Sequence, residues 1–151
     1  MTLIPPRWLA AAGSLIALSG PALAQTAGAP ALAPVQVQAV AHFDFDDTRL
    51  RAPDRDALLA EVLTLKDVRW QQVTAIGHTD STGDAAYNLA LAQRRAAAVR
   101  DHLVAQGLDS AMIRLEARGQ AAPVADNTSP EGRARNRRTE VAFSGVRAAA
   151  R

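Results

Sequence analysis

The sequence predicts an α+β fold in which helices pack on one face of a roughly four-stranded mixed sheet. Segments of alternating apolar residues, typical of half-buried strands, are separated by segments whose apolar residues recur every three or four positions, typical of amphipathic helices. Their order is β-α-β-α-β-(α)-β, which suits one layered domain. The domain is expected over residues 35–145, and about 110 residues are enough for a single small core.

The first half of the domain contains two strands and a helix. The first strand begins at Val35, where apolar residues alternate with glutamines. Pro53 suits the first turn of a helix, which is expected to end near residues 66–67. The apolar stripe of this helix is Leu58, Leu59, Val62 and Leu65. The second strand is predicted over residues 70–76.

The second half begins with a long helix, predicted over residues 84–106. Gly107 follows it at the position where a glycine commonly ends a helix. A third strand is predicted over residues 114–118, and a polar loop leads from there to a short helical turn at 130–136. The final strand is predicted over residues 137–143.

Both ends of the chain are predicted to lie outside the domain. Residues 1–24 have a short basic start, an apolar segment and the cleavage box Ala22-Leu23-Ala24, which together indicate a secretory signal peptide. A transmembrane helix is the alternative, but prolines and glycines bracket an apolar run shorter than the roughly 20 residues that a span needs. Residues 25–34 are rich in Ala, Pro and Gly, which predicts a flexible linker. Residues 146–151 are expected to fray.

The composition excludes some classes of partner. The net charge is +2 at pH 7, and one basic residue, Arg7, belongs to the predicted signal peptide. This near-neutral balance argues against a protein whose whole surface attracts nucleic acid or membranes. The chain has no cysteine, so it has neither a disulfide framework nor a thiol for a lipid anchor. The mature chain is expected in the periplasm, without a transmembrane segment.

Two polar residues on the apolar face of the long helix point to a site. That face consists of Leu91, Ala92, Val99 and Leu103. At about 100° per residue, Asn88 and Arg95 fall inside the same arc. Because burial of an unpaired guanidinium is prohibitive, Arg95 needs partners, and Asp80 in the preceding turn offers one. Arg95 is therefore either part of a buried structural ion pair or half of a ligand site.

Four motifs carry a resemblance to a known family. They are residues 43–46 (FDFD), 77–83 (GHTDSTG), 87–96 (YNLALAQRRA) and 132–141 (GRARNRRTEV). In order and spacing they resemble the OmpA-like peptidoglycan-binding domain, which also occurs in the peptidoglycan-associated lipoprotein and in flagellar stator proteins. The resemblance covers residues 37–144. Any one motif is a weak signal, whereas four in sequence are specific.

The resemblance implies non-covalent binding of the cell-wall stem peptide through its diaminopimelate residue. Diaminopimelate presents an ammonium beside a carboxylate, and its recognition needs an acid and a guanidinium at a fixed separation. By motif position, Asp80 is expected to take the ammonium and Arg95 the carboxylate. Without ligand, the two are expected to neutralise each other or to hold water.

The same resemblance assigns further ligand contacts. Asn88 is expected to hydrogen-bond the peptide or to orient the Asp80 loop, and Arg137 to face carboxylates of the stem peptide. Asp46 is assigned a polar contact near the exit of the first strand. Thr79, next to Asp80, is included among the ligand-binding residues.

Simpler interpretations exist for several of these residues. Asp80 in a turn before Ser-Thr-Gly is typical of a residue whose carboxylate caps the following amides. The arginines of residues 133–138 are typical of a solvated basic face. Phe43 and Phe45 are assigned to the core rather than to ligand contact, and His78 is assigned no chemistry.

Neither an enzyme nor a nucleic-acid binder is predicted. The three histidines lack metal-ligand spacing, and no serine lies in a nucleophile elbow. The aromatic residues are too scattered for a base-stacking platform. No cofactor or metal is expected.

The predicted function is therefore wall binding that links or anchors an envelope component. The expected partners are the peptidoglycan stem peptide and an outer-membrane or other envelope protein. The alternative is a protein–protein interaction module of an envelope assembly in which the same site has been repurposed.

Overall fold

The computed structural model describes residues 31–148, so the predicted signal peptide and most of the predicted linker lie outside the described residues. The elements in this range are β1 (Leu32–His42), α1 (Ala52–Ala60), β2 (Arg69–His78), α2 (Ala85–Ala105), β3 (Ile113–Gly119), α3 (Pro130–Asn136) and β4 (Arg138–Ala148). Their order is the predicted one. None of the helices in this range combines the length and hydropathy needed to cross a membrane.

The four strands form one mixed sheet in the order β1-β4-β2-β3. β4 is antiparallel to both β1 and β2, whereas β2 and β3 are parallel. A parallel pair needs a long crossover connection, and α2 supplies it here. The predicted α+β architecture is confirmed.

The hydrophobic core lies between one face of the sheet and helices α1 and α2. The sheet contributes Val37, Ala41, Val73, Ala75, Val141 and Phe143. The helices and the turn after α1 contribute Leu58, Leu59, Val62, Ala96, Val99 and Leu103. Trp70 packs edge-to-face on Phe143, with 5.9 Å between ring centroids. The helices are thereby fixed relative to the strand ends, from which the site residues project.

Gly77 lets α2 approach β2 more closely than any other residue would. A Cβ at this position would lie 1.9 Å from the carbonyl oxygen of Ala92, a distance that excludes every side chain. The close approach brings the first turns of α2 against the carboxyl end of β2. Asp84 fixes the start of the helix, because its carboxylate accepts hydrogen bonds from the amides of Ala86 and Tyr87.

The first helix is shorter than predicted. It ends at Ala60 rather than near residue 66, and a 3₁₀ turn over Val62–Thr64 follows it. The Thr64 hydroxyl donates to the carbonyl of Glu61 at 2.7 Å, and such local bonds compete with helical continuation. The apolar stripe still faces inwards as expected.

Three residues of the predicted linker and three of the predicted frayed tail belong to strands, so the prediction is wrong for them. Leu32–Pro34 belong to β1 and pair with Val146–Ala148 of β4. The backbone groups of each segment find hydrogen-bonding partners in the other segment. Pro34 is tolerated because β1 is an edge strand. Residues 149–151 lie outside the described range.

Candidate ligand-binding site

A pocket of about 170 Å³ lies where β1 and β2 end and β4 begins. All six residues predicted as ligand contacts line it: Asp46, Thr79, Asp80, Asn88, Arg95 and Arg137. The other lining residues are Phe45, Thr82, Gly83, Tyr87 and Leu91. The fold therefore brings together side chains that are up to 92 positions apart in the sequence, between Phe45 and Arg137.

Asp80 has the turn-capping role that the sequence offered and an ion-pair partner, Arg137, that it did not. One carboxylate oxygen accepts a hydrogen bond from the amide of Thr82 at 2.8 Å, which closes the turn. The other accepts from Nη1 of Arg137 at 3.2 Å. Thr79 supports the turn from behind, because its hydroxyl donates to the carbonyl of Asp80 at 2.9 Å. The carboxylate is thus held in a fixed position, and only 3% of Asp80 is exposed.

Asp80 stays ionised despite its burial. Burial alone raises the pKa of its carboxyl, but the hydrogen bonds from Thr82 and the charge of Arg137 outweigh this effect and hold the pKa below its ordinary value. The pocket therefore presents a carboxylate at neutral pH.

Asn88 ties the Asp80 turn to the loop that follows β3. Its Nδ2 donates to the carbonyl of Thr82 at 3.0 Å and to Oε1 of Gln120 at 2.8 Å. These contacts are those of a residue that orients the turn, one of its two expected roles. Its contact with a ligand stays a prediction.

Arg95 is completely buried at the back of the pocket. Its Nε donates to the carbonyl of Asp47 at 2.9 Å, its Nη1 to that of His78 at 3.0 Å, and its Nη2 to that of Asp44 at 3.1 Å. The guanidinium thereby joins the loop after β1 to the end of β2. Within residues 31–148 no carboxylate lies within ion-pair distance of it. Direct pairing with Asp80, one of the two arrangements expected without ligand, is wrong, because Asp80 pairs with Arg137 instead.

The carbonyl contacts of Arg95 satisfy hydrogen bonds but do not neutralise its charge. Burial, followed by the nearby charge of Arg137, lowers the pKa of Arg95 to about 10. The group is still protonated at neutral pH, and the guanidinium N–H groups not used by the three carbonyls remain available. The back of the pocket therefore carries a buried positive charge.

Arg137 is the more accessible of the two guanidinium groups. Its side chain is 17% exposed, and its Nε donates to the carbonyl of Phe43 at 3.1 Å. This bond anchors the side chain beside the loop after β1 while Nη1 reaches Asp80. Arg137 thus closes one wall of the pocket.

The rim of the pocket contains a hydrogen bond between Asp46 and Tyr87. The phenol of Tyr87 donates to a carboxylate oxygen of Asp46, which links the loop after β1 to the first turns of α2. Asp46 has a φ of 51°, in the left-handed region that aspartate tolerates better than most residues. The carboxylate raises the pKa of Tyr87.

Phe45 lies at the rim, so its assignment to the core is wrong. It is 64% exposed, whereas Phe43 is buried as predicted. Alternation would place both on one face of a strand, but β1 ends at His42. A turn closed by the amide of Asp47 and the carbonyl of Asp44, at 3.2 Å, follows and carries Phe45 outwards.

Leu91 and Tyr87 were missed as lining residues although the sequence contains a signal for both. Both lie near predicted contacts on the same helix: Leu91 lies three positions, about one turn, after Asn88, and Tyr87 lies eight positions, about two turns, before Arg95. Positions three or four apart share a helix face. Thr82 and Gly83 line the pocket through the shape of the turn, which the sequence does not specify.

His78 contributes its carbonyl to the site but not its ring. The ring is buried, and neither of its nitrogens has a hydrogen-bond partner among the described residues. Its Nε2 lies 3.8 Å from a carboxylate oxygen of Glu140. Burial, with help from the charge of Arg138, lowers the pKa of His78 to about 4, so the ring is neutral.

Comparison with known proteins places this site in a family context. The model of the OmpA family matches residues 42–137. Outer membrane protein A of Bordetella avium is 40% identical over 119 residues, which cover 79% of this chain and 61% of that protein. The peptidoglycan-associated lipoprotein of Pseudomonas aeruginosa is 38% identical over 100 residues, which cover 66% of this chain and 59% of that protein. The chain thus spans less than two thirds of the length of these relatives.

A solved structure shows the same fold. The crystal structure of the peptidoglycan-associated lipoprotein from Burkholderia pseudomallei superposes with a TM-score of 0.62 and 30% sequence identity. The superposition covers 70% of this chain and 89% of that chain.

Proposed function

Because this chain belongs to the OmpA family, we propose that it binds cell-wall peptidoglycan non-covalently and anchors an envelope component to the wall. Two similar proteins are peptidoglycan-associated lipoproteins by name. The proposed setting is the periplasm, where an exported protein meets the wall. The pocket is offered as a binding site, not as a catalytic centre.

The proposed ligand group is the amino-acid head of diaminopimelate in the stem peptide. The observation that carries this proposal is the buried charge of Arg95, which three neutral carbonyls hold in place. The carboxylates of Asp80, Asp46 and Asp47 act on it only from beyond ion-pair distance. A buried charge without a directly paired counterion is costly, and an incoming carboxylate in contact with the guanidinium would reduce that cost. Asp80, already ionised, offers the matching acceptor for an ammonium.

Ligand binding on this scheme involves an exchange of partners. The ammonium of the ligand competes with Arg137 for the carboxylate of Asp80, and Arg137 then turns towards a carboxylate of the ligand. Asp46 and Thr79 offer further polar contacts at the wall and rim. The exposed ring of Phe45 offers apolar surface for the aliphatic chain of diaminopimelate.

Co-sedimentation with purified peptidoglycan sacculi tests the proposal. The protein is expected to pellet with the sacculi and to be released by free diaminopimelate. Asp80→Asn should abolish pelleting, since the neutral amide has no charge to pair with an ammonium, whereas its oxygen can still accept the turn hydrogen bond from Thr82. Asp101→Asn is the control, because Asp101 is an exposed residue of α2 that does not line the pocket.

Two outcomes would overturn the proposal. If the folded wild-type protein did not pellet, the site would serve another partner, such as a protein of the envelope. If pelleting persisted in Asp80→Asn, wall binding would use a different surface.

A further inference from the structure

We infer that a groove beside the pocket binds a second carboxylate of the same stem peptide, next to diaminopimelate. This inference rests on the proposed function, because the pocket must first hold the diaminopimelate head. The groove is lined by Phe45, Thr82, Pro130, Arg133 and Arg137. Three of these residues, Phe45, Thr82 and Arg137, also line the pocket, so one extended ligand can occupy both.

Arg133 is held in position to receive an anion. Its Nη1 donates to the carbonyls of Asn127 at 2.9 Å and Thr128 at 3.2 Å. The two bonds fix the guanidinium through one of its nitrogens and leave the N–H groups of Nε and Nη2 for a ligand. Because the side chain is already ordered, it loses little conformational freedom on binding.

Every charged side chain that lines the groove is positive. Its two charged lining residues are arginines, and none of its described lining residues is acidic. Arg133 has no carboxylate within ion-pair distance among residues 31–148, and Arg137 shares that of Asp80. Paired guanidinium groups at a fixed separation favour a carboxylate over a neutral amide.

The matching ligand is a peptide in which a second acidic residue directly adjoins diaminopimelate. A main chain that leaves the pocket past Phe45 enters the groove, which Pro130, Arg133 and Arg137 also line. A carboxylate on the adjoining residue can then reach Arg133. Free diaminopimelate lacks this adjoining residue and serves as the probe of the pocket alone.

Titration calorimetry with three probes tests the inference on the full mature protein. The probes are free diaminopimelate, a tripeptide in which γ-linked glutamate precedes diaminopimelate, and the same tripeptide with the glutamate α-carboxylate converted to a carboxamide. The wild-type protein should bind the acidic tripeptide about tenfold more tightly than the amidated one, as one charge-assisted hydrogen bond would give.

Arg133→Gln should remove the preference between the two tripeptides, whereas Arg133→Lys, which keeps the charge, should retain part of it. Arg114→Gln is the matched control, because Arg114 is an exposed arginine of β3 outside the pocket and the groove. It should leave the preference intact.

The results separate this inference from the proposed function. If the wild-type protein bound diaminopimelate but had equal affinity for the two tripeptides, the inference about the groove would be wrong. The proposed role of the pocket would still hold. Binding of no probe would overturn both. An equal loss of preference in Arg114→Gln and Arg133→Gln would also overturn the groove, because it would reflect only the overall charge. The wild-type comparison remains decisive even if Arg133→Gln does not fold.

Discussion

Asp80 and Arg137 form an ion pair at the wall of the pocket, with 3.2 Å between Oδ2 and Nη1. Both side chains are largely buried, with exposed fractions of 5% and 17%. The pair lines the same pocket as the buried Arg95. Arg137 therefore occupies the carboxylate oxygen that the proposed ligand ammonium would need, and together with the hydrogen bonds from Thr82 it keeps Asp80 ionised.

Substitution of Arg137 is expected to make binding more sensitive to acid. In the wild-type protein the pKa of Asp80 is held below its ordinary value, in part by Arg137. In Arg137→Gln the charge that opposes the effect of burial is gone, so the pKa of Asp80 should rise. The pH at which half of the protein leaves the sacculi should therefore shift upwards, and pelleting across a pH series measures it.

The control for this shift is Arg147→Gln, which removes an exposed arginine at the far end of β4. The wall itself titrates equally in both experiments, so only the difference between variants matters. An unchanged midpoint in Arg137→Gln would show that Asp80 is not the carboxylate on which binding depends.

Replacement of Arg95 should cost stability as well as binding. A lysine ammonium cannot reach the carbonyls of Asp44, Asp47 and His78 together, so Arg95→Lys leaves buried acceptors without a donor. We expect a loss of about 3 kcal/mol in the free energy of unfolding, from two charged hydrogen bonds at the lower end of their range. Urea denaturation measures it.

The neighbouring arginine supplies a matched control. Arg94 is exposed on the same helix, and Arg94→Lys should leave the free energy of unfolding within about 0.5 kcal/mol of the wild-type value. Equal stability of the two variants would contradict the structural role of Arg95. Arg95→Ala is a poor test of binding alone, since it removes the same three bonds.

His78 is expected to make the fold labile to mild acid. Its pKa is about 4 in the folded protein, against about 6.5 for an unfolded chain. Between these values the unfolded state takes up a proton that the folded state does not, so stability falls as the pH falls from 6.5 to 4. The loss attributable to His78 is at most about 3 kcal/mol.

His78→Leu should remove this part of the pH dependence, because leucine does not titrate and leaves no buried nitrogen without a partner. Thermal unfolding at pH 7 and at pH 4.5 provides the comparison. His102→Leu serves as the control, since the His102 ring hydrogen-bonds a carbonyl near the surface. An undiminished difference between the two pH values in His78→Leu would assign the acid lability to other groups.

Gly77→Ala should destabilise the protein by about 3 kcal/mol, the upper end of the usual cost of overpacking. The added methyl group would meet the backbone of Ala92, which can move only if α2 moves away from β2. Gly83→Ala is the comparison, since its Cβ would meet no atom within 4 Å and only its φ of 91° opposes the change. Chemical denaturation of both variants should show the larger loss for Gly77→Ala.

The architecture and most of the pocket could be predicted from the sequence because side-chain patterns report them directly. Asp80, Asn88 and Arg95 were identified by motif and by helix periodicity, and all three line the pocket. The partners of Arg95 could not be predicted. They are main-chain carbonyls, and every residue carries one, so no residue type marks the carbonyls that a loop leaves free.

The position of Phe45 and the chain ends were missed for a related reason. The orientation of the Phe45 side chain depends on the residue at which β1 ends. A difference of one residue there reverses the direction in which a side chain points. The pairing of Leu32–Pro34 with Val146–Ala148 joins segments far apart in sequence whose small residues resemble a linker. The sequence of neither segment indicates which other segment it pairs with.

The long antiparallel pairing of β1 and β4 has a mechanical consequence. Its register runs from Leu32 opposite Ala148 to His42 opposite Arg138, and the pocket lies at the His42 end. A pull between Leu32 and a wall-bound ligand acts along β1, perpendicular to its hydrogen bonds with β4. The bonds are then loaded in shear and must break together rather than one after another. On the proposed function, the strand that starts the domain can therefore bear tension between the ligand in the pocket and the residues before Leu32.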